Sequence, residues 1–382
     1  MPRRRSSLWT PWRIVLIAFV VVHLVLFATV PWLRAHRRSA DVLRRFANQP
    51  PDLLSTVDPG VDELDEELAD SRRARVYMPR GVAHPPGLVL VHGIHRLAVE
   101  EPRLVRFARA LSANGVAVLT PEVRELADYR VDARSIETIG AAAHALRAKL
   151  SHRVGVMGMS FAGGLSLLAA CDPHFAPDIG MVVAVGAHED AARVARFFAT
   201  NRIARPDGSD VSREAHGYGV LVFAYSHADR FFPPEDLPIA QQALASWLSE
   251  QRDAARATAA TTSAPSRALL EHLFDHQLGE VAEPFLSAVD ADSAGLAAVS
   301  PRGRIDGLQI PIFLLHGAGD SVIPPTETEW LARAVPPGML RDVLVSKALV
   351  HVEPGGQPTW HEQWELLHFV ADVLAALDRV SR

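Results

Sequence analysis

The sequence has one cysteine, Cys171, among its 382 residues. A single cysteine excludes an internal disulfide and a cysteine-rich metal site, so we expect Cys171 to be a small buried apolar residue. Lysine is nearly absent as well, since Lys149 and Lys347 are the two lysines of the chain. No internal repeat divides the sequence. Its length suits one large domain with an insertion, or two domains.

The body of the chain also lacks a net positive charge. The net charge is −5, but residues 1–45 hold nine arginines against one acidic residue, Asp41, so the remainder of the chain carries −13. An acidic body of this kind argues against a nucleic acid as the main partner.

Residues 14–33 contain no Asp, Glu, Lys or Arg. Twenty helical residues span about 30 Å, the hydrocarbon thickness of a bilayer, and Trp9, Trp12 and Trp32 lie where an aromatic belt is expected. The run is too long for the apolar core of a cleaved signal peptide, which was the competing interpretation. The pattern therefore predicts a transmembrane anchor at 14–33, with the protein in the bacterial inner membrane and its orientation left open. The polar residues 40–73 are predicted to be a linker.

From residue 74 onward, short apolar runs typical of strands alternate with helical patterns. The predicted strands are 74–79, 87–93, 116–123, 153–159, 179–187, 310–317 and 342–346. This alternation predicts an α/β fold with a doubly wound, mostly parallel sheet. We assign 74–189 and 310–382 to its core. Residues 190–309 break the alternation and are predicted to be a mainly helical lid insertion, with a candidate strand at 219–226.

The stretch VGVMGMSFAGGLSLLAA, at 154–170, places a serine between a predicted strand and a predicted helix. Small residues on both sides of Ser160 allow the tight turn of a G-x-S-x-G nucleophile elbow, which exposes the serine hydroxyl. Gly158 and Gly163 are the elbow glycines, while Ala162 stands where the pattern has glycine. A strand–helix junction without chemistry is the alternative interpretation.

An acid and a base for this serine follow later in the sequence. Asp320 comes just after the predicted strand 310–317, and His351 lies in the loop after the last strand. The order Ser160, Asp320, His351 is that of a catalytic triad in a sheet of this kind. His361 and His368 compete as bases but lie on the closing helix, and their spacing does not match the H-E-x-x-H zinc motif.

Two backbone amides are candidates for an oxyanion hole. The strand GLVLVHG ends at 93, so the amide of Ile94 can point at a developing oxyanion, together with the amide of Phe161 after the nucleophile. His92 and His95 are less suited as bases, and we expect His92 to hold this loop in place.

These motifs resemble the α/β-hydrolase superfamily. The resemblance rests on HG at 92–93, GMSFAGG at 158–164, LLHGAGDSVIPP at 314–325 and the late His351, and it covers roughly 75–380. The elbow is similar to those of dienelactone hydrolases and prolyl-oligopeptidase-like enzymes. The serine sets aside a haloalkane dehalogenase, which would have Asp at the elbow.

Together with the predicted anchor, the resemblance implies a membrane-anchored serine hydrolase that cleaves a carboxylic ester or thioester through an acyl-enzyme, without a metal or cofactor. Its expected partners are a small-molecule or lipid-like acyl ester and, through 14–33, a membrane. An acyltransferase with the same triad and a catalytically inactive, membrane-tethered binding protein are the alternatives.

Overall fold

The protein is described from a computed structural model. The structure describes residues 11–53, 55, 58, 60–68, 71–350, 353–354 and 359–381. Its strands are β1 Val61–Leu68, β2 Arg72–Pro79, β3 Gly87–Val91, β4 Ala117–Pro121, β5 Val154–Met159, β6 Ile179–Val185, β7 Arg202–Ala204, β8 Asp210–Ser212, β9 Ile312–Gly317, β10 Leu340–Ser346, β11 Leu349–Val350 and β12 Glu353–Pro354.

Fifteen α-helices accompany these strands in the described ranges. They are α1 Pro11–Phe46, α2 Pro102–Ala113, α3 Arg124–Ala127, α4 Arg134–Leu150, α5 Phe161–Cys171, α6 Ala191–Thr200, α7 Gly217–Ser226, α8 Ala228–Phe231, α9 Leu237–Leu248, α10 Arg252–Ala259, α11 Ala264–Phe274, α12 Leu278–Ala291, α13 Ser293–Ala298, α14 Thr326–Ala334 and α15 Trp360–Val380.

Eight strands form one sheet in the order β1-β2-β4-β3-β5-β6-β9-β10. β2 is antiparallel to both of its neighbours, and the pairs from β4 to β10 are parallel. Side chains alternate between two apolar cores, because successive strand residues point to opposite faces. Val89 packs on the face with α4 and α5, whereas Leu88 and Leu90 pack on the face with α2 and α15. The parallel strands are therefore covered on both faces, as the fold prediction requires.

The predicted transmembrane anchor at 14–33 is wrong. No helix in the part of the chain that the structure describes is both long enough and apolar enough to cross a membrane, so the predicted single-pass location in the inner membrane is wrong as well. The apolar run belongs to the 36-residue helix α1, whose later, arginine-rich turns pack on the protein body. Ser39 donates a hydrogen bond to the carbonyl of Leu367 (2.7 Å), and Arg38 pairs with Asp378 (2.7 Å) on α15.

The predicted linker 40–73 contains the last turns of α1 and the whole of β1. β1 is an edge strand that pairs with β2 along its full length, from Val61 opposite Pro79 to Leu68 opposite Arg72. The sequence VDELDEEL does not show the alternation of apolar and polar residues that is typical of a strand, because Leu68 is the one buried residue of the eight. Charged side chains on an exposed edge strand give no apolar alternation, yet they protect the edge from further pairing.

Eight helices, α6 to α13, and the β7–β8 hairpin lie between β6 and β9. The candidate strand at 219–226 is wrong, because these residues form the helix α7. The run GVLVFAYS is apolar throughout, and a short run of this kind does not distinguish a buried strand from a buried helix. Packing among the surrounding helices decides in favour of the helix, and the imidazole of His216 caps it by accepting a hydrogen bond from the amide of Tyr218 (3.2 Å).

Candidate active site

Ser160 occupies a strained turn between β5 and α5. Its backbone has φ +56° and ψ −132°, a conformation that non-glycine residues adopt rarely and that concentrates at functional sites. The amide of Ser160 donates a hydrogen bond to the carbonyl of Val185 at the end of β6 (2.7 Å), which fixes the turn to the sheet. The sharp turn is the geometry of a nucleophile elbow.

Close packing around this turn explains its small residues. A Cβ added to Gly158 would overlap the carbonyl group of Ala162, and one added to Gly163 would lie 2.7 Å from the Cβ of Ala187 on the segment after β6. A Cβ at Gly164 would overlap the ring of His188. The close approaches of α5 to its surroundings therefore fall at 163 and 164, whereas Ala162 is fully buried with its methyl group accommodated in the core.

The loop after β3 packs directly against the serine. A Cβ added to Gly93 would lie 3.4 Å from the Cβ of Ser160. His92 holds this loop: its Nε2 accepts a hydrogen bond from the amide of Val123 (3.0 Å), so its Nδ1 carries the proton and donates to the carbonyl of Gly93 (2.7 Å). Burial lowers the pKa of His92 to about 4, which keeps the ring neutral.

The hydrogen bond from His92 also sets the direction of the next amide. In a trans peptide the carbonyl and the following N–H point in opposite directions, so the N–H of Ile94 points away from His92. Tyr218, on α7 of the insertion, fixes the same segment from the other side by donating its phenolic hydrogen to the carbonyl of Ile94 (2.9 Å). The structure thus places Gly93, Ile94 and Phe161 around Ser160, on the wall of one cavity.

Asp320 lies in the loop after β9 and is completely buried. Its Oδ1 accepts hydrogen bonds from the amides of Val322 (2.8 Å) and Ile323 (3.0 Å), so the loop orients the carboxylate. Its Oδ2 lies 3.3 Å from Nε2 of His316, a ring whose Nδ1 is hydrogen-bonded to Thr328 (2.6 Å). Because β3, β5 and β9 are parallel, the segments that follow them, with Ile94, Ser160 and Asp320, lie at the same edge of the sheet.

The predicted base, His351, lies outside the described residues, between β11 and β12. The two histidines on α15 that were considered as alternative bases make other contacts. His361 lies 3.4 Å from Glu365, and His368 is hydrogen-bonded to His36 on α1 (2.9 Å). Neither histidine is on the wall of the cavity that contains Ser160.

A cavity of about 1310 Å³ lies between this edge of the sheet and the insertion. Its volume exceeds the range of about 300–1,000 Å³ that is typical of small-molecule sites. Ser160 is on its wall, together with apolar side chains of the insertion. These include Phe198, Leu221, Phe223, Leu273, Phe274 and Leu296. The insertion therefore covers the candidate nucleophile and gives the cavity a largely apolar wall.

Sequence reasoning missed two residues of this cavity, Tyr218 and His276, which come from α7 and from the end of α11. His276 gave no signal in the sequence, because its left-handed φ of +55° is a property of the folded chain. Tyr218 gave no signal, because it lies just before the candidate strand at 219–226 and matches no motif. Cys171 ends α5, at the opposite end of the helix from Ser160, and burial raises the pKa of its thiol to about 11, so it is not a thiolate nucleophile.

No group of three or more His, Cys, Asp or Glu side chains in the described ranges could hold a metal ion. The arrangement offers one hydroxyl on a strained turn, two nearby backbone amides and a buried carboxylate. Acyl-transfer chemistry uses groups of these kinds.

Comparisons with known proteins find similarity in structure but not in sequence. No family model matches the sequence, and no curated protein is similar to it in sequence. A candidate hydrolase from Legionella pneumophila subsp. pneumophila has a similar structure, with 13% identity, a TM-score of 0.53, and coverage of 90% of this chain and 95% of its own. An esterase from Pyrococcus furiosus has 13% identity and a TM-score of 0.44, over 86% of this chain and 96% of its own.

Longer proteins match as well. Puromycin hydrolase has 15% identity and a TM-score of 0.48, and the match covers 86% of this chain. The present chain spans 40% of the length of puromycin hydrolase, and 36% of the length of a candidate dipeptidyl aminopeptidase IV from Bacteroides ovatus. The resemblance that the motifs predict is confirmed at the level of architecture: this chain has the fold of the α/β-hydrolase superfamily.

Proposed function

We propose that the protein is a serine hydrolase that cleaves a carboxylic ester or thioester through an acyl-enzyme. The observation that carries this proposal is the strained turn at Ser160, with φ +56°, on the wall of a covered cavity. Strain of this size costs about 1–3 kcal/mol and persists where the surrounding structure maintains it for a function. A strand–helix junction without chemistry would have no need of it.

In the proposed reaction, Oγ of Ser160 attacks the carbonyl carbon of the substrate while His351 takes its proton. The amides of Ile94 and Phe161 donate hydrogen bonds to the oxyanion that forms. The tetrahedral intermediate then expels the alcohol or thiol, which receives the proton from His351, and the acyl group remains on Ser160. Water attacks the acyl-enzyme with His351 again as base, which releases the acid and restores the serine. Asp320 accepts the Nδ1 hydrogen bond of His351 throughout.

The histidines with described geometry support His351 as the base. A triad base must accept the serine proton on Nε2 while it donates from Nδ1. Nδ1 of His95 and of His216 instead accepts a backbone hydrogen bond, from Leu97 and Tyr218 respectively (3.2 Å each). His227 contacts a carbonyl with Nδ1 and the carboxylate of Asp292 with Nε2, so both of its ring nitrogens are engaged by acceptors.

The cavity supports an apolar acyl group as the part of the substrate that binds beneath the insertion. Leu221, Leu273 and Phe274 supply apolar surface at this wall, and each buried methylene of a bound chain contributes about 0.8 kcal/mol. The volume of about 1310 Å³ leaves room for a chain of medium length and its leaving group.

A fluorophosphonate probe tests the proposal directly. We expect the full chain to be labelled covalently and stoichiometrically at Ser160, because the probe reacts with an activated serine and mimics the tetrahedral intermediate. The variant Ser160→Ala should show no labelling by intact mass spectrometry. Ser321→Ala, which removes another serine from the same cavity wall, should keep it. Equal labelling of the wild type and Ser160→Ala would contradict the proposal.

Removal of the phenolic hydroxyl in Tyr218→Phe should lower kcat for a p-nitrophenyl ester about three- to tenfold and leave KM nearly unchanged. The hydroxyl fixes the carbonyl of Ile94 (2.9 Å), and a less rigid Ile94 amide is a weaker oxyanion donor. Tyr225→Phe is the matched control, because Tyr225 lies on the same helix and its hydroxyl bonds to Asp128 (2.9 Å). A similar loss of kcat in both variants would show that packing of α7, rather than the Ile94 amide, is responsible.

A further inference from the structure

A segment of the insertion holds the loop that carries Asp320. The guanidinium of Arg213, just after β8, donates two hydrogen bonds from Nη1, to the carbonyls of Ala318 (3.0 Å) and Asp320 (2.9 Å). The amide of His216 donates to the carbonyl of Ser321 (2.8 Å). Three backbone carbonyls of this loop therefore accept hydrogen bonds from one short stretch of the insertion.

Arg213 spends its charge on these carbonyls. Among the described residues, its guanidinium has the two carbonyls as hydrogen-bond partners and no carboxylate within ion-pair distance. Hydrogen bonds from a charged donor are roughly twice as strong as bonds between neutral groups, and one Nη carries two hydrogens, so each carbonyl receives one. The side chain is therefore suited to fixing the backbone of the loop rather than to neutralising an acid.

The insertion in turn fixes the backbone of Arg213. Asn201, at the end of α6, accepts a hydrogen bond from the amide of Arg213 with its main-chain carbonyl (3.0 Å) and one from the amide of Ala215 with its side-chain oxygen (2.8 Å). Asn201 has φ +56°, a left-handed conformation that asparagine adopts more readily than most residues. Because its own backbone is held, the side chain of Arg213 can define the position of the loop that it binds.

The carboxylate of Asp320 depends on the position of that loop, the irregular segment 318–325 between β9 and α14. Its Oδ1 is bound by the amides of Val322 and Ile323, so a shift of the loop would shift the carboxylate. A misplacement of about 1 Å at a reacting centre can lower a rate about a hundredfold. Arg213 is not on the wall of the cavity, so it can act on the reaction through Asp320 and not by contact with the substrate.

We propose that Arg213 is a positioning residue for the catalytic acid. It holds the loop of Asp320 so that the carboxylate can accept the Nδ1 hydrogen bond of His351. This inference rests on the proposed serine hydrolase activity and its triad. It gives the insertion a second role besides covering the cavity, because the same segment also reaches the oxyanion loop through the hydrogen bond from Tyr218 to Ile94.

A double-mutant cycle with Asp320→Asn tests this role, with p-nitrophenyl octanoate as the substrate. Asp320→Asn should lower kcat about 10⁴-fold, because the base loses its anionic partner. Arg213→Met should lower kcat about tenfold to a hundredfold in the wild-type background and leave KM within about twofold. In the Asp320→Asn background the same change should cost less than about threefold, because the carboxylate through which it acts is gone.

Arg213→Lys is the rescue variant. It keeps the positive charge and three donors on a narrower head group, so part of the kcat that Arg213→Met loses should return. All rates are measured well below the Tm of each variant, so that unfolded protein does not contribute to the loss. If Arg213→Met does not fold, the same cycle is carried out with Arg213→Lys.

Arg333→Met is the matched control. Nη1 of Arg333, on α14, donates to the carbonyl of Pro206 (2.7 Å), in the turn of the β7–β8 hairpin that leads to Arg213. This bond also joins the insertion to the core through an arginine and a backbone carbonyl, but it does not involve the loop of Asp320. Arg333→Met should therefore keep kcat within about twofold in both backgrounds.

Four results would overturn the inference while Ser160 is still labelled by the fluorophosphonate. They are unchanged kinetics in Arg213→Met, an equal loss of kcat in both backgrounds, a raised KM with unchanged kcat, and an equally large loss of kcat in Arg333→Met. The second would make the effect independent of the acid, the third would place Arg213 in substrate binding, and the fourth would attribute the effect to anchoring of the hairpin.

Two further outcomes concern the triad itself. An Asp320→Asn variant as fast as the wild type would show that Asp320 is not the acid, and the inference would be wrong although Ser160 is the nucleophile. Absence of labelling in the wild type would overturn the proposed function, and this inference with it.

Discussion

Replacement of Ser160 or His351 by alanine is expected to lower kcat for a p-nitrophenyl ester by a factor of about 10⁶. The nucleophile and the base act as a unit, because the serine hydroxyl is a poor nucleophile until its proton is removed. The double variant should therefore be no slower than either single variant. Saturation kinetics of the three variants, with substrate carried well above KM, measure this directly.

The expectation for His351 is supported by the contacts of three other imidazoles on the cavity wall, those of His92, His95 and His216. Nε2 of His92 accepts the amide hydrogen of Val123, and its lowered pKa of about 4 makes it a weak base at neutral pH. His95 and His216 have their Nδ1 turned to a backbone amide, so neither can donate that hydrogen to Asp320 in its present tautomer. β11, which ends one residue before His351, contacts β9, the strand that leads to Asp320.

His361→Ala is the control for this prediction, since His361 is an exposed residue of α15 and is not on the cavity wall. It should keep a kcat within about twofold of the wild-type value, as expected for a surface change. Additive losses in the Ser160 and His351 variants would indicate independent roles. A fully active His351→Ala would show that another group activates the serine.

The parts of the site that the sequence predicts are those encoded by local pattern. Ser160 and Asp320 each follow a nearly continuous apolar strand and precede small or turn-forming residues, and a parallel sheet brings such strand ends together. The prediction needed no knowledge of side-chain contacts. The departure from the G-x-S-x-G pattern at Ala162 can also be understood from nearby residues. The close contacts with the segment after β6 fall at Gly163 and Gly164.

Features that depend on distant contacts were not predictable in this way. α7 was assigned wrongly, because it is apolar on every side and helices surround it. β1 lies within the predicted linker and its charged side chains give no apolar alternation, because it is an exposed edge strand. The apolar run at 14–33 satisfies a length rule for membrane spans, but it continues into turns that pack on α15. His276 is recognised as unusual only in the structure, from its φ of +55° and from two ring nitrogens that have no hydrogen-bond partner among the described residues.

A buried ionic cluster joins the start of the insertion to the helix after Asp320. Glu327 on α14 accepts hydrogen bonds from the amides of Glu189 (2.8 Å) and Asp190 (3.0 Å), which lie between β6 and α6. It also binds the guanidinium of Arg193 through two bonds, of 2.6 and 2.8 Å. Burial alone raises the pKa of Asp190, but its hydrogen bond from Arg302 (2.7 Å) contributes to lowering it below the usual range.

The variant Glu327→Ala is expected to lower the free energy of unfolding by about 3–5 kcal/mol, because it leaves two amides without an acceptor and the partly buried cation Arg193 without its main partner. Glu329→Ala is a close control: Glu329 lies on the same helix and forms a two-bond pair with Arg205, but its side chain is 39% exposed against 1% for Glu327. An exposed pair contributes about 0–1 kcal/mol. Urea unfolding of the two variants should therefore differ by at least about 2 kcal/mol. Equal losses would mean that α14 itself, rather than the buried cluster, determines the effect.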